Sequence, residues 1–217
     1  MTDDLPLLPI DIRVLAVLAE KEQLTPDNYP LSLNALVSGC NQLTSRDPVM
    51  AVAETEVQQS LDMLTAARLV AEVSQAGARV PKYEHRMRLR WTLEQDKLAA
   101  LAMLMLRGPQ TAAEVRSRAG RMHEFGSVAS AEAALQFLID KYPPLVTRMA
   151  RSPGAKEVRY AHLLSGEPAG TDTPALPEMA AVTRHDRIAT LEHEIAALKA
   201  EVAQLSEQFA EIRRLLE

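Results

Sequence analysis

Cysteine is almost absent from this 217-residue chain. Cys40 stands alone, which excludes an intramolecular disulfide and any multi-cysteine metal site and points to a reducing compartment, the cytoplasm. Long apolar runs are missing too. The most apolar stretch, Leu98 to Leu106, is far shorter than the roughly 20 residues that span a bilayer, and the opening MTDDLPLLPID lacks the basic start and apolar stretch of a signal peptide. No membrane segment is expected. There is no glycine-rich phosphate loop and no arrangement of nucleophile, base and orienting group, so the sequence does not read as an enzyme or a cofactor carrier. The histidines, at 85, 123, 162, 185 and 193, are scattered. His85 and His162 fall at equivalent strand positions, but without accompanying cysteine or aspartate they do not make a metal site.

What is present suits two small domains of roughly 80 residues and a tail. The net charge of −5 divides unevenly: residues 1–163 carry 19 basic and 19 acidic side chains, whereas 164–217 carry 5 and 10. The acidity belongs to the tail, so the folded part is judged by its local patches.

Along the chain, Ile12, Leu15, Leu18 and Ala19 recur at helical spacing after Pro9 and Asp11, and the pattern breaks at Thr25-Pro26. A second helix follows Ser32, carries Leu33, Leu36, Val37 and Cys40 on one stripe, and ends in the polar loop Asn41 to Val49. That stripe makes Cys40 a core residue. In the loop, Asn41 is expected to cap the helix and Arg46 to pair with Asp47 or a helix end. A third helix is expected from a Thr55-x-x-Gln58 capping box. The period then changes to two: Leu69 to Val73 reads as a strand, Gln75-Ala76-Gly77 as a turn, and Arg86 to Trp91 as a returning strand with Met87, Leu89 and Trp91 inward.

The same order then repeats. Thr92-x-x-Gln95 and Thr111-x-x-Glu114 cap two helices, the second closed by Gly120, and a third runs from about Ser130. Strands Leu145 to Met149 and Val158 to His162 flank Ser152-Pro153-Gly154. Aligning Leu69-Val70 with Leu145-Val146 brings Lys82-Tyr83-Glu84-His85 to within one residue of Arg159-Tyr160-Ala161-His162, the mark of a duplication. Three helices and a two-stranded wing make a winged helix-turn-helix. The fold class expected is mainly α (α+β), with two tandem units at 1–92 and 93–164.

Residues 165–181, with Pro168, Pro174 and Pro177, read as a flexible linker. From 182 to 217 a 3.5-residue repeat places Ile188, Ile195, Val202, Phe209 and Leu216 at a positions and Leu191, Leu198, Leu205 and Ile212 at d positions. β-Branched residues at a and mostly leucine at d favour a parallel two-stranded coiled coil. In that pairing Arg187 faces Glu192, and Glu194 faces Lys199, of a second copy. The alternative is a helix folded back onto the winged helices.

Four stretches carry a resemblance: Tyr29 to Leu36, Gly39 to Val49, Lys82 to Arg86, and Leu106 to Thr111 with Arg121 to Phe125. They resemble the YceH-like family of uncharacterised bacterial proteins over roughly residues 5–163. The resemblance implies a tandem winged-helix fold and brings no ligand or activity. It also implies a lysine where this chain has Leu43.

Duplex DNA is the first ligand class these units suggest, because helix-turn-helix units enter the major groove and wings follow phosphates. The candidate phosphate contacts are Arg79, Lys82, Arg86, Arg88 and Arg90 in the first unit, and Arg116, Arg118, Arg121, Arg148, Arg151, Lys156 and Arg159 in the second. Arg86, Arg88 and Arg90 are expected on the solvent face of one strand. The third helices argue against base reading: one carries Glu54, Glu56 and Asp62, the other Glu132 and Asp140. The alternative class is a protein-interaction scaffold that uses winged helices as docking modules without DNA.

Overall fold

A computed structural model describes residues 6–73, 80–150 and 157–168. The turn at 75–77, the turn at 152–154, Arg79, Arg151 and Lys156 lie outside the described residues, as do most of the expected linker and every heptad position from Ile188 to Leu216.

The described chain is mixed α/β and largely helical, with seven α-helices and two small sheets. Helix α1 (Pro9–Leu24) starts where Asp11 accepts the Leu8 N–H at 2.8 Å. The same carboxylate accepts the Ser60 hydroxyl at 2.6 Å, tying α1 to α3. Strand β1 (Leu31–Ser32) runs into α2 (Leu33–Cys40), whose first turn is capped by the Ser32 hydroxyl accepting the Ala35 N–H at 3.4 Å. Helix α3 spans Glu54–Ala66. It is followed by β2 (Val70–Val73), β3 (Lys82–His85) and a short helix α4 (Met87–Trp91).

The second half holds α5 (Gln95–Arg107), α6 (Ala112–Ala119), α7 (Val128–Asp140), β4 (Val146–Arg148) and β5 (Tyr160–His162). The first sheet is antiparallel in the order β1-β3-β2, with Leu31 opposite Tyr83 and Val70 opposite His85. In the second, Val146 lies opposite His162, and Gln110 bridges Tyr160 as Leu31 pairs with Tyr83. Helix, bridge, two helices and two strands thus occur twice. One hydrophobic core runs through both halves. α1 is buried from Asp11 to Glu20 and α5 from Leu98 to Leu106, and these two helices pack on each other along the seam.

Three expectations are corrected. The returning strand of the first half is Lys82–His85, four residues before the expected one, and Arg86–Trp91 is mostly helix. The alternation Met87, Leu89, Trp91 mimics a strand, yet only Met87 is buried in the core, Trp91 is half-buried and Leu89 is 72% exposed. The expected caps at Thr55 and Thr92 are displaced. Glu56 caps α3 by accepting the Ala53 N–H at 2.7 Å, while Gln58 donates to Asp62 at 2.8 Å. Thr92 closes α4 with a left-handed backbone, φ 50°, and α5 starts only at Gln95. The Thr111 box is present as expected: its hydroxyl accepts the Glu114 N–H at 3.2 Å and Glu114 accepts the Thr111 N–H at 2.9 Å.

Candidate functional site

The polar loop after α2 is internally satisfied, though not wholly by the partners its sequence suggests. Asn41 clasps Val52 twice, donating to its carbonyl at 2.9 Å and accepting its N–H at 2.8 Å. The side chain of Arg46 has no solvent exposure. It donates to Glu20 at 2.6 and 3.1 Å, to the Gly39 carbonyl at the end of α2 at 3.2 and 3.3 Å, and to Gln42 at 2.7 Å. Asp47 does not pair with it; the Asp47 N–H donates to the Leu106 carbonyl at 2.8 Å. Arg13 closes the loop from below, donating to Cys40 and Pro48 carbonyls at 3.1 and 2.6 Å. Cys40 is buried, and that burial pushes its thiol up to about 11 despite the two arginines nearby.

This loop reaches the second half. Arg107, at the end of α5, donates to the Ser45 hydroxyl at 2.6 Å. Around that contact lies a cleft of about 340 Å³ walled by Glu20, Lys21, Leu24, Gln42 to Ser45, Met103, Arg107, Arg118, Arg121 and Met122. Two of the four stretches that carry the family resemblance meet there, Gly39 to Val49 and Leu106 to Thr111 with Arg121 to Phe125. The cleft is basic, with Lys21 and three arginines against Glu20, and Glu20 is already engaged by Arg46.

Most of the other candidate cations are held by neighbours within the chain. Arg88 pairs with Glu22 at 3.1 Å and also donates to Gln95, and Arg86 pairs with Glu84 at 2.8 Å. With α4 helical, Arg86, Arg88 and Arg90 do not share one face, since helical neighbours lie three or four residues apart. Glu22 also lies 3.3 Å from Nε2 of the buried His85. Burial works to raise the Glu22 pKa, but the bond and charge of His85, with Gln23 and Arg88, outweigh it and hold the carboxyl at about 2. Glu114 pairs with Arg118 at 3.2 Å and Arg159 at 3.4 Å. Arg116 donates to the Phe125 carbonyl at 3.2 Å, Arg148 to Gln136 at 2.7 Å, and Arg159 to the Pro109 carbonyl at 2.7 Å. Among the described residues, Lys82, Arg116, Arg121 and Arg148 form no ion pair. No three His, Cys, Asp or Glu side chains converge as metal ligands among the described residues.

Sequence reasoning missed another concavity, assembled from the ends of α3 and α4, the segment that follows α7, and the stretches before α1 and after β5. It has a volume of about 700 Å³ and a largely apolar lining that includes Leu7, Leu69, Trp91, Pro143, Leu145 and Leu164. No local sequence signal marks it, because its walls come from segments more than 150 residues apart. The third helices offer little positive charge. α3 exposes Glu54, Glu56 and Asp62, and α7 exposes Val128, Ala129, Ala133 and Phe137 beside Glu132 and Asp140.

The described residues define a helix-rich α/β protein made of a repeated element order around one core. No helix among the described residues is long and apolar enough to cross a membrane. The chain belongs to the family described as "Protein of unknown function, DUF480", which matches residues 7–155, in agreement with the YceH-like resemblance. It is 62% identical over 208 residues to a UPF0502 protein of Janthinobacterium sp. (strain Marseille), covering 95% of this chain and 89% of the relative. A UPF0502 protein of Herminiimonas arsenicoxydans is 61% identical over 210 residues, with the same coverages. One from Geobacter sulfurreducens is 46% identical over 191 residues, covering 86% of this chain and 87% of the relative.

Proposed function

We propose that this protein is a non-enzymatic, cytoplasmic docking module. In this reading two winged-helix units, 1–92 and 93–164, present an apolar groove to a protein partner, and residues 182–217 pair as a parallel coiled coil. The groove carries the reading. A concavity of about 700 Å³ lined by Trp91, prolines and leucines is the kind of surface that a partner's apolar segment fills. The sheet order β1-β3-β2, with Gln110 bridging Tyr160 in the second half, supports the winged-helix assignment. The internal pairing of Arg86, Arg88, Arg118 and Arg159 favours docking over DNA, because a cation already matched by a carboxylate releases less free energy on meeting a phosphate.

Duplex DNA remains the second reading, favoured by the unmatched charges of Lys82, Arg116 and Arg148 on the strands and helices of both units. Fluorescence anisotropy with a mixed-sequence duplex at low and near-physiological salt separates the two. Docking predicts no saturable binding at physiological salt, and a photocrosslinker at Ala67 on the groove wall captures a discrete protein that the same probe at Asp27 does not. Micromolar binding that weakens steeply with salt, with the slope lowered by about one for each of Arg116→Ala and Arg148→Ala, overturns docking in favour of DNA.

A further inference from the structure

We propose that the cleft between α1, the loop after α2, α5 and the segment after α6 binds a small phosphorylated molecule. Arg107, Arg118, Arg121 and Lys21 hold its phosphate, and Leu24, Met103 and Met122 support its organic part. This site is separate from the docking groove and does not depend on it.

Charge balance is the first reason. Four cationic side chains line about 340 Å³, and the one carboxylate among the lining residues, Glu20, is spent on the fully buried Arg46 and on Lys21, 3.4 Å away. Arg118 is shared with Glu114 at 3.2 Å, outside the lining, which leaves Arg107 and Arg121 unmatched among the described residues; clustered cations with too few anions repel one another, and a multivalent anion relieves that repulsion. Arg107 shows the imbalance directly. Among the described residues its side chain bonds only the neutral Ser45 hydroxyl, and its buried Nε has no hydrogen-bond partner. Burial and the nearby Arg118 and Arg46 guanidinium groups lower its pKa, the direction expected for a charge without a counterion. Arg121 makes no ion pair among the described residues.

Shape and chemistry select the ligand class. Three guanidinium forks suit the oxygens of a phosphate, which accept paired N–H donors. The Thr44 and Ser45 hydroxyls and the Gln42 amide add neutral donors, and the methionines and Leu24 give one wall no polar demand. The volume lies within the range of small-molecule sites. A walled cleft fed by four chain segments suits a compact ligand better than a duplex, whose phosphates are followed along an open surface.

Titration calorimetry on the full chain tests this, with inorganic pyrophosphate and adenosine monophosphate as probes and sodium sulfate at matched ionic strength as control. Saturable 1:1 binding of at least one probe is expected, weakened at least tenfold by Arg121→Gln and strengthened by Leu43→Lys, which adds a cation at an exposed lining position. Both variants alter exposed side chains, so circular dichroism is expected to match the parent chain. Equal heats for sulfate, unchanged binding by Arg121→Gln, or binding of duplex DNA alone would each overturn the proposal. Loss of a protein partner at the apolar groove leaves this result untouched.

Discussion

His162 ends β5 with its Nδ1 buried and unpartnered, and burial holds its imidazole down from 6.5 to about 4. Above pH 6.5 the ring is neutral in both states. Between 6.5 and 4 the unfolded chain takes up a proton that the folded chain refuses, so stability falls with pH, by at most about 3 kcal/mol. The urea midpoint of the parent chain is expected to drop between pH 7 and pH 5, and His162→Gln is expected to flatten that drop. Cys40 makes a second expectation at this scale. A buried thiol pushed up to about 11 presents almost no thiolate, so an aromatic disulfide reagent is expected to react at the rate of unfolding, and with one equivalent once urea is added. Immediate reaction in native buffer would place the sulfur at the surface.

At the scale of elements, the α1–α2 crossing depends on Gly39. A Cβ there would stand 2.6 Å from Cγ1 of Val17, a stiff, fully buried side chain. Gly39→Ala is expected to cost about 1–3 kcal/mol in denaturant titration, the range for overpacking. Arg46→Met is expected to cost more, about 3–5 kcal/mol, because it strands Glu20 and the Gly39 carbonyl away from water. Much at this scale was legible in the sequence. Helix α1, the stripe of α2, the Thr111 capping box and the strand after α3 all announce themselves through spacing and caps. α4 did not, since five residues of alternating polarity satisfy a strand's period as well as a helical turn's, and only the neighbouring β3 decides between them. The internal repeat located β3 better than periodicity did. Aligning Lys82–His85 with Arg159–His162 superposes two observed strands, whereas polarity alone pointed to Arg86–Trp91. The partners of the arginines were illegible because Glu22 and Arg88, or Ser45 and Arg107, meet only after folding.

For the whole molecule, the shared core sets the expectation. α1 and α5 bury each other across the seam between the repeats, and Asp47 and Ser45 fasten the first half to the end of α5. Residues 6–168 are therefore expected to unfold in one transition, with Trp91 fluorescence and far-ultraviolet dichroism tracing the same urea curve. If the proposed coiled coil is the dimer contact, light scattering is expected to find a dimer for the full chain and a monomer for a chain ending at Gly166. A truncated chain that stays dimeric would move the contact elsewhere.

The burial of α5 on every side from Leu98 to Leu106 also reaches back into synthesis. A ribosome that has delivered α1 through β3 has released a repeat whose long apolar flank has nothing to close against. That flank stays open until Arg107 clears the exit tunnel, so the first-made repeat finishes folding only when the second has begun to emerge. Translation order makes the early repeat wait, exposed to chaperones, for a helix encoded after it.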